Sequence, residues 1–402
     1  MSETTLTEDE LKVYEAFTSV ENAYDLGLEN AFYLNDDEIH QHGIQLSSWT
    51  RYGCFVQFDF NSKASSRDVQ VLLATWTATF SMLQANEDLG SIRPDKGSAV
   101  PGDTADAHGL PCANMTIVLG FGAKLFAENR FGLEGFKPEG FEELPRITND
   151  KFDASEQGSD FGMWIKADDW GILFHAVRAL ARIGRKYHCD LKYTHTGFLS
   201  SRQHGPSGQS RAIHGFVVGL TGCYGDEEFD KYVWVDDCEQ DWMNGGTYMV
   251  YRDTQFQIET WDQDRISDQE QCLGRRKDNG APLTSGADGS PFDEFDWDAT
   301  DENGDLIIPG NCHCRLVSEH HNGFKIYDDG MRSWRGLLDN GTQDTGFVNI
   351  LYANDLQHII TMRDNMGKYD LAKEYYWDNR SAAYAIPHGV QKGHYFGEEF
   401  FA

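Results

Sequence analysis

The chain has 402 residues, 40% of them hydrophobic and 13% aromatic, enough to bury a large core in roughly two or three domain-sized units. Its 65 acidic and 34 basic residues give a net charge of −31. That balance argues against nucleic acid and against anionic membrane surface as partners, because both need basic residues to meet phosphate. Its plainest reading is a soluble surface that repels itself.

The first ten residues carry no basic stretch, apolar stretch or twin arginine, so no signal peptide is expected. No run of about 18 apolar residues marks a membrane span. The eight cysteines are scattered, with no Cys-x-x-Cys pair for a zinc ribbon or covalent haem attachment. The expected setting is therefore cytoplasmic, with reduced thiols.

In chain order, residues 1–40 are acidic and helix-prone. Tyr52–Phe60 alternates as a strand. Val69–Leu83 has helical spacing through Val69, Leu72, Trp76, Phe80 and Leu83. Residues 88–112, rich in Gly, Pro and Asp, form a long loop, and Asn114–Gly122 a second strand. Gly120-Phe121-Gly122 lacks the third glycine of a dinucleotide fingerprint. Phe161–Ala167 is a third strand. Asp168 or Asp169 then caps a helix that gathers Arg178, Arg182, Arg185 and Lys186 toward its C-terminus, where the helix dipole favours them. The polar loop 200–208 sets a boundary between residues 1–205 and 206–402.

In the second part, Thr247–Arg252 and Phe256–Glu259 read as strand and Asp268–Leu273 as helix. Residues 278–310 are irregular, and Gly346–Tyr352 and Ser381–Pro387 are strands. Such a mixture, without strict β-α-β alternation, is α+β.

Several second-half segments carry more than local structure. They include Phe229–Val235, Trp242–Val250, Ile258–Asp262 and Gly280–Leu283. Ile308-Pro309 then leads into Cys312-His313-Cys314-Arg315-Leu316, and Ala385–Val390 follows near the end. Gly109–Asn114 and Phe174–Arg178 add weaker matches in the first half. Each piece is weak alone, but the ordered set resembles the dye-decolorising peroxidase superfamily, most closely its deferrochelatase-like branch.

The resemblance implies two ferredoxin-like halves of the dimeric α+β barrel type, antiparallel sheets flanked by helices, and haem b held mainly by residues 206–402. His313 falls on the proximal haem ligand, and neutral imidazole is a standard axial donor to haem iron. In an extended segment Cys312 and Cys314 would both point away from the side of His313, as small core residues. Arg315 would share the side of His313 and approach a haem propionate, or else lie in solvent or a salt bridge. Relatives often form homodimers or larger assemblies, so a homo-oligomer is also implied.

Two positions depart from the family pattern. The distal motif Gly-x-x-Asp-Gly appears here as Gly215-Phe216-Val217-Val218-Gly219, with Val218 in place of the aspartate. Asp328, in Ile326-Tyr327-Asp328-Asp329-Gly330, falls on the distal arginine, although a shift of a few residues brings in Arg332 or Arg335. Heterolysis of hydrogen peroxide needs a proton carried between its oxygens and a cation beside the developing charge. Losing each group costs roughly 10²–10⁴ in rate, so ordinary peroxidase turnover is expected to be weak. His214 and Asp328 are the candidate replacements for the lost acid/base, and Phe216 with Val218 would line an apolar distal pocket. The basic run beside the haem is thinned to Arg252-Asp253-Thr254-Gln255, leaving Arg252 for the propionates. The expected activity is haem-dependent oxidation of a small organic substrate, with a peroxidase-like reaction class. A non-enzymatic haem carrier or sensor, a pseudoenzyme, and a chain that has kept the fold without haem stay open as alternatives.

Overall fold

The computed structural model describes residues 40–44, 50–153, 157–199, 211–217, 222–391 and 393–402. The helix-prone residues 1–39, most of the expected boundary loop and Val218 lie outside the described residues. The first half runs β1 (Tyr52–Phe60), α1 (Ser66–Ala85), β2 (Thr116–Gly122), β3 (Phe161–Ala167), α2 (Trp170–Lys186) and β4 (Cys189–Phe198). The second half opens with α3 (Gly225–Tyr232), β5 (Thr247–Phe256), α4 (Ile258–Trp261), α5 (Ile266–Leu273), α6 (His313–Leu316) and α7 (Glu319–Asn322). It closes with β6 (Tyr327–Asp328), β7 (Met331–Leu337), β8 (Gln343–Ala353), α8 (Leu356–Tyr369) and β9 (Tyr376–Ile386).

Local chemistry sets the helix starts. Ser65 and Asp68 form a reciprocal capping box on α1, and Asp169 accepts from the Ile172 amide at 3.1 Å on α2. Asn86 ends α1 at φ 51°, a left-handed conformation that asparagine tolerates.

The strands form one antiparallel sheet in the order β5-β9-β2-β3-β1-β4-β7-β8, and β8 pairs back with β5, so the sheet closes into a barrel. The short β6 adds to β8, with Asp328 opposite Leu351. The two seams between the halves are thin. β2 meets β9 at Phe121↔Ala385 and Gly122↔Tyr384, and β4 meets β7 at Phe198↔Arg332. Side chains inside the barrel reinforce them. Phe55 stacks on Tyr251 at 3.7 Å, Gln57 donates to the Tyr384 hydroxyl at 2.8 Å, and His195 lies within 2.8 Å of both Tyr251 and Ser333. A second apolar layer fills the space between the outer sheet faces and helices such as α1, α2 and α8. Strands buried on both faces read as nearly continuous apolar runs, which is why β1 and β3 stand out in the sequence.

The α+β class and the helix-flanked antiparallel sheet agree with the sequence reading. One assignment changes: β5 is a single strand to Phe256, and Ile258–Trp261 turns helical rather than extended. Strands β4, β6 and β7 and helices α3 and α8 carried no recognised signal. In β4 the barrel-facing positions include Tyr193 and His195, so polar residues replace the usual apolar alternation.

A buried ionic cluster also fastens the halves. Arg252 bonds Asp378 through both Nε (2.7 Å) and Nη2, and the Thr254 hydroxyl donates to the other Asp378 oxygen at 2.5 Å. Nearby, Arg363 on α8 reaches Asp150 of the first half at 3.3 Å, with both side chains almost fully buried. Removing one partner of a buried pair strands the other charge. Asp150→Ala is therefore expected to lower stability by ~3–5 kcal/mol in denaturant unfolding, and a loss near zero would show that water reaches Arg363.

Candidate functional site

The site is built around α6, which is a single helical turn and not the extended segment expected from the sequence. Cys312 and Leu316 on either side of the turn are buried. The Arg315 guanidinium donates to the Trp297 and Ile308 carbonyls and lies over the Trp297 ring. Arg315 is thus a buried packing residue, and the expectation that it approaches a propionate does not hold: the helical turn sends it to Trp297. The same turn brings Cys314 to the cavity wall beside His313, contrary to the expectation that both cysteines point away. Burial pushes the Cys312 thiol up to about 12 and raises Cys314 as well, so neither is poised as a thiolate ligand.

His313 faces the cavity with 34% of its side chain accessible. Its Nδ1 lies 2.7 Å from Asp370 Oδ2. Asp370 is at the end of α8, wholly buried, and its other oxygen accepts the Ala372 amide at 2.8 Å. The Tyr376 hydroxyl donates to Asp370 Oδ2 at 3.4 Å. A carboxylate acceptor makes Nδ1 the protonated nitrogen, which leaves Nε2 as the donor atom for a ligand in the cavity. Burial alone would depress the imidazolium, but the charge and hydrogen bond of Asp370 outweigh it and raise the His313 pKa.

The cavity measures about 970 Å³, at the upper end of the range for cofactor sites. Phe216, Phe256, Phe347, Leu351, Met362 and Met366 supply much of its apolar wall. Five of the residues expected from the sequence meet here: His214, Phe216, Arg252, His313 and Asp328. Arg252 contributes to the wall, but its guanidinium is committed to Asp378.

His214 sits among Phe216, Phe256, Trp261 and Phe347, with ring centroids about 6 Å away. Its Nδ1 accepts from the Phe216 amide at 3.3 Å. Burial, helped by the positive charges of His313 and Lys277, drives its pKa down to about 3, so the ring is neutral across the physiological range. Asp328 behaves oppositely. Its Oδ1 accepts the Gly330 amide at 2.8 Å, and burial lifts its pKa to about 6 against the pull of that hydrogen bond, with Asp329 adding to the rise. Next to it, Asp329 binds Lys166 Nζ at 2.6 Å and Trp164 Nε1 at 2.9 Å. Of the two alternative arginines, Arg332 lines the cavity, whereas Arg335 is held outside it by Asp253 (2.7 Å) and Asp344 (2.9 Å).

Sequence reasoning missed Asp370, Lys166 and Asp329. Asp370 stands 57 residues from His313 and carries no local motif, so only the fold could pair them. These residues fit haem. A histidine with a carboxylate behind it faces an apolar cavity of sufficient volume, and the guanidinium groups of Arg211 and Arg275 on its wall meet main-chain carbonyls rather than carboxylates, which keeps their charge available to an anionic cofactor edge.

Residues 41–199 match the model of the DyP-type peroxidase N-terminal region, and residues 209–391 that of the C-terminal region. The chain is 27% identical over 304 residues to the dye-decolorizing peroxidase of Thermobifida fusca, covering 73% of this chain and 69% of that protein. It is 30% identical over 256 residues to the deferrochelatase of Escherichia coli K12, covering 61% of this chain and 58% of that protein. Among solved structures, DtpA from Streptomyces lividans, captured as an oxyferrous/water mixed complex, superposes with a TM-score of 0.83 at 27% identity, covering 94% of this chain and 99% of that one. A DyP-type peroxidase from Streptomyces coelicolor gives the same TM-score and identity, with 94% and 98% covered. Two family models in the expected order, together with a barrel that superposes over nearly the whole chain, place this protein in the dye-decolorising, DyP-type peroxidase superfamily.

Proposed function

We propose that this protein holds haem b through His313 and acts as a haem-dependent oxidoreductase on a small organic substrate, with weak turnover in ordinary peroxidase assays. The observation that carries the reading is the 2.7 Å bond between His313 Nδ1 and Asp370, which aims the other ring nitrogen into a cavity of about 970 Å³. Haem bound there supplies a redox-active iron for exchanging electrons between an organic donor and peroxide. The names of the relatives, a peroxidase and a deferrochelatase, support a haem-handling role of this class.

The remaining question for the chain itself is which group moves the proton. An acid/base works best when its pKa lies near the working pH. His214, at about 3, neither takes nor gives a proton readily at neutrality. Asp328, at about 6, does both, and with Oδ1 held by the Gly330 amide its Oδ2 would be the atom that gives or takes the proton in the cavity. The family's carboxylate is thus replaced by one at the position of its arginine. The negative charge of Asp328 gives no help to a developing anion, which supports slow peroxide cleavage.

Three outcomes test this. Purified protein should show a haem Soret band that is lost in His313→Ala, while Asp370→Asn should weaken haem retention about 10- to 100-fold in transfer to apomyoglobin. Peroxide-dependent turnover should rise as pH increases through about 6, where Asp328 loses its proton and becomes a base; Asp328→Asn should flatten that limb. Val218→Asp combined with Asp328→Arg should raise dye turnover by at least about 10², and an unchanged rate in a folded, haem-loaded double variant would overturn the assignment of the two distal positions.

A further inference from the structure

The cavity that His313 faces is also walled by α3 and by the residues around His40, far along the chain from the haem ligand. His40 stacks on Trp234 at 3.9 Å, Trp234 meets Phe229 at 5.8 Å, and Phe229 meets Tyr327 at 4.8 Å, and all four rings line the cavity. Asp230 follows Phe229 on α3, and Asp328 follows Tyr327 on β6. Both carboxylates line the same cavity as these rings.

These carboxylates lack counter-charges. Asp230 makes no hydrogen bond or ion pair among the described residues, and Asp328 accepts only the Gly330 amide. Of the cavity's cations, Lys166 is paired with Asp329 and Arg252 with Asp378, whereas Arg211 and Arg275, which meet only main-chain carbonyls, keep their charge for the cofactor edge, and Arg332 also lines the wall; among the described residues, none of these makes an ion pair with Asp230 or Asp328. A third polar atom points the same way. Thr50 lines the cavity, is only 3% exposed, and its hydroxyl has no hydrogen-bond partner. Buried hydroxyls are rarely left unsatisfied in a finished structure, so a ligand donor would complete it.

We propose that this aromatic wall, with Asp230, Asp328 and Thr50, is the organic-substrate subsite, and that it takes a small aromatic molecule bearing a protonated amine. The aromatic ring packs against Trp234 and Phe229, and the ammonium group donates to Asp230, Asp328 and the Thr50 hydroxyl. Facing rings also attract the cation directly. An anionic aromatic acid of the same size meets two carboxylates that have no paired cation and binds more weakly. Calling the ligand a substrate rests on the haem reading above, but its binding does not depend on haem.

The test is isothermal titration calorimetry of the full chain, haem-loaded and haem-free, with phenethylamine and with 3-phenylpropionate at pH 7.5 and low salt. Phenethylamine is expected to bind at least about tenfold more tightly, the size of one charge-assisted hydrogen bond, with the preference shrinking as salt is added. Asp230→Asn, on an exposed helix position that leaves the fold intact, should remove most of that preference, and Asp328→Asn should reduce it further. Equal affinity for the two probes, or a preference untouched by Asp230→Asn, would overturn the subsite. Amine selectivity without a Soret band would sink only the haem reading. A Soret band without amine selectivity would sink only the subsite.

Discussion

Everything at the site depends on closing a barrel from two four-stranded sheets that barely touch at their edges. Three register pairs make the two seams, far too few ladder hydrogen bonds to hold the halves by themselves. The joint is made by side chains inside the barrel and by charges that cross between halves: Phe55 on Tyr251, Gln57 on Tyr384, Lys166 on Asp329, and Arg363 on Asp150. Buried polar contacts of this kind are unforgiving, because each group is costly once its partner moves. That cost fixes the relative position of the halves, and with it the shape of a cavity lined from both.

The sequence was most legible where burial is two-sided or a cap is explicit. Tyr52–Phe60 and Phe161–Ala167 carry mostly apolar, largely buried runs, and their strand limits matched the structure. The apolar spacing of Val69–Leu83 announced α1, and the second of the two expected caps, Asp169, starts α2. The reading failed where the barrel interior is polar or the strand is interrupted. His195 and Tyr193 disguise β4, and the arginines and exposed Trp334 disguise β7. Helix α8 hid in a similar way, since one of its buried positions is Arg363 rather than an apolar residue.

The site was half legible. His313 emerged from an ordered series of neighbouring segments, and Asp328 and His214 do reach the same cavity. Their roles were not separable in the sequence because the residue types are equally able to carry protons; the surroundings decide. An aromatic cage keeps His214 neutral, while burial, with a smaller push from the Asp329 carboxylate, lifts the pKa of Asp328 toward neutral pH. The two adjacent aspartates make the same point. Asp329 has an ion-pair partner in Lys166 and Asp328 has none, a difference set entirely by a strand of the other half. The error at Cys314 and Arg315 came from a wrong backbone assumption: one helical turn rotates successive side chains by about 100°, not 180°.

Asp370 joins the cofactor ligand to the scaffold more directly than its place behind His313 suggests. The same carboxylate receives His313 and the amide of Ala372, and so fixes the turn that leads into β9 at Tyr376. Strand β9 pairs with β5 on one side and with β2, across a seam, on the other. A path therefore runs from the imidazole through Asp370 and along the main chain of β9, past its pairing with β5, to the seam that closes the barrel, without crossing the cavity.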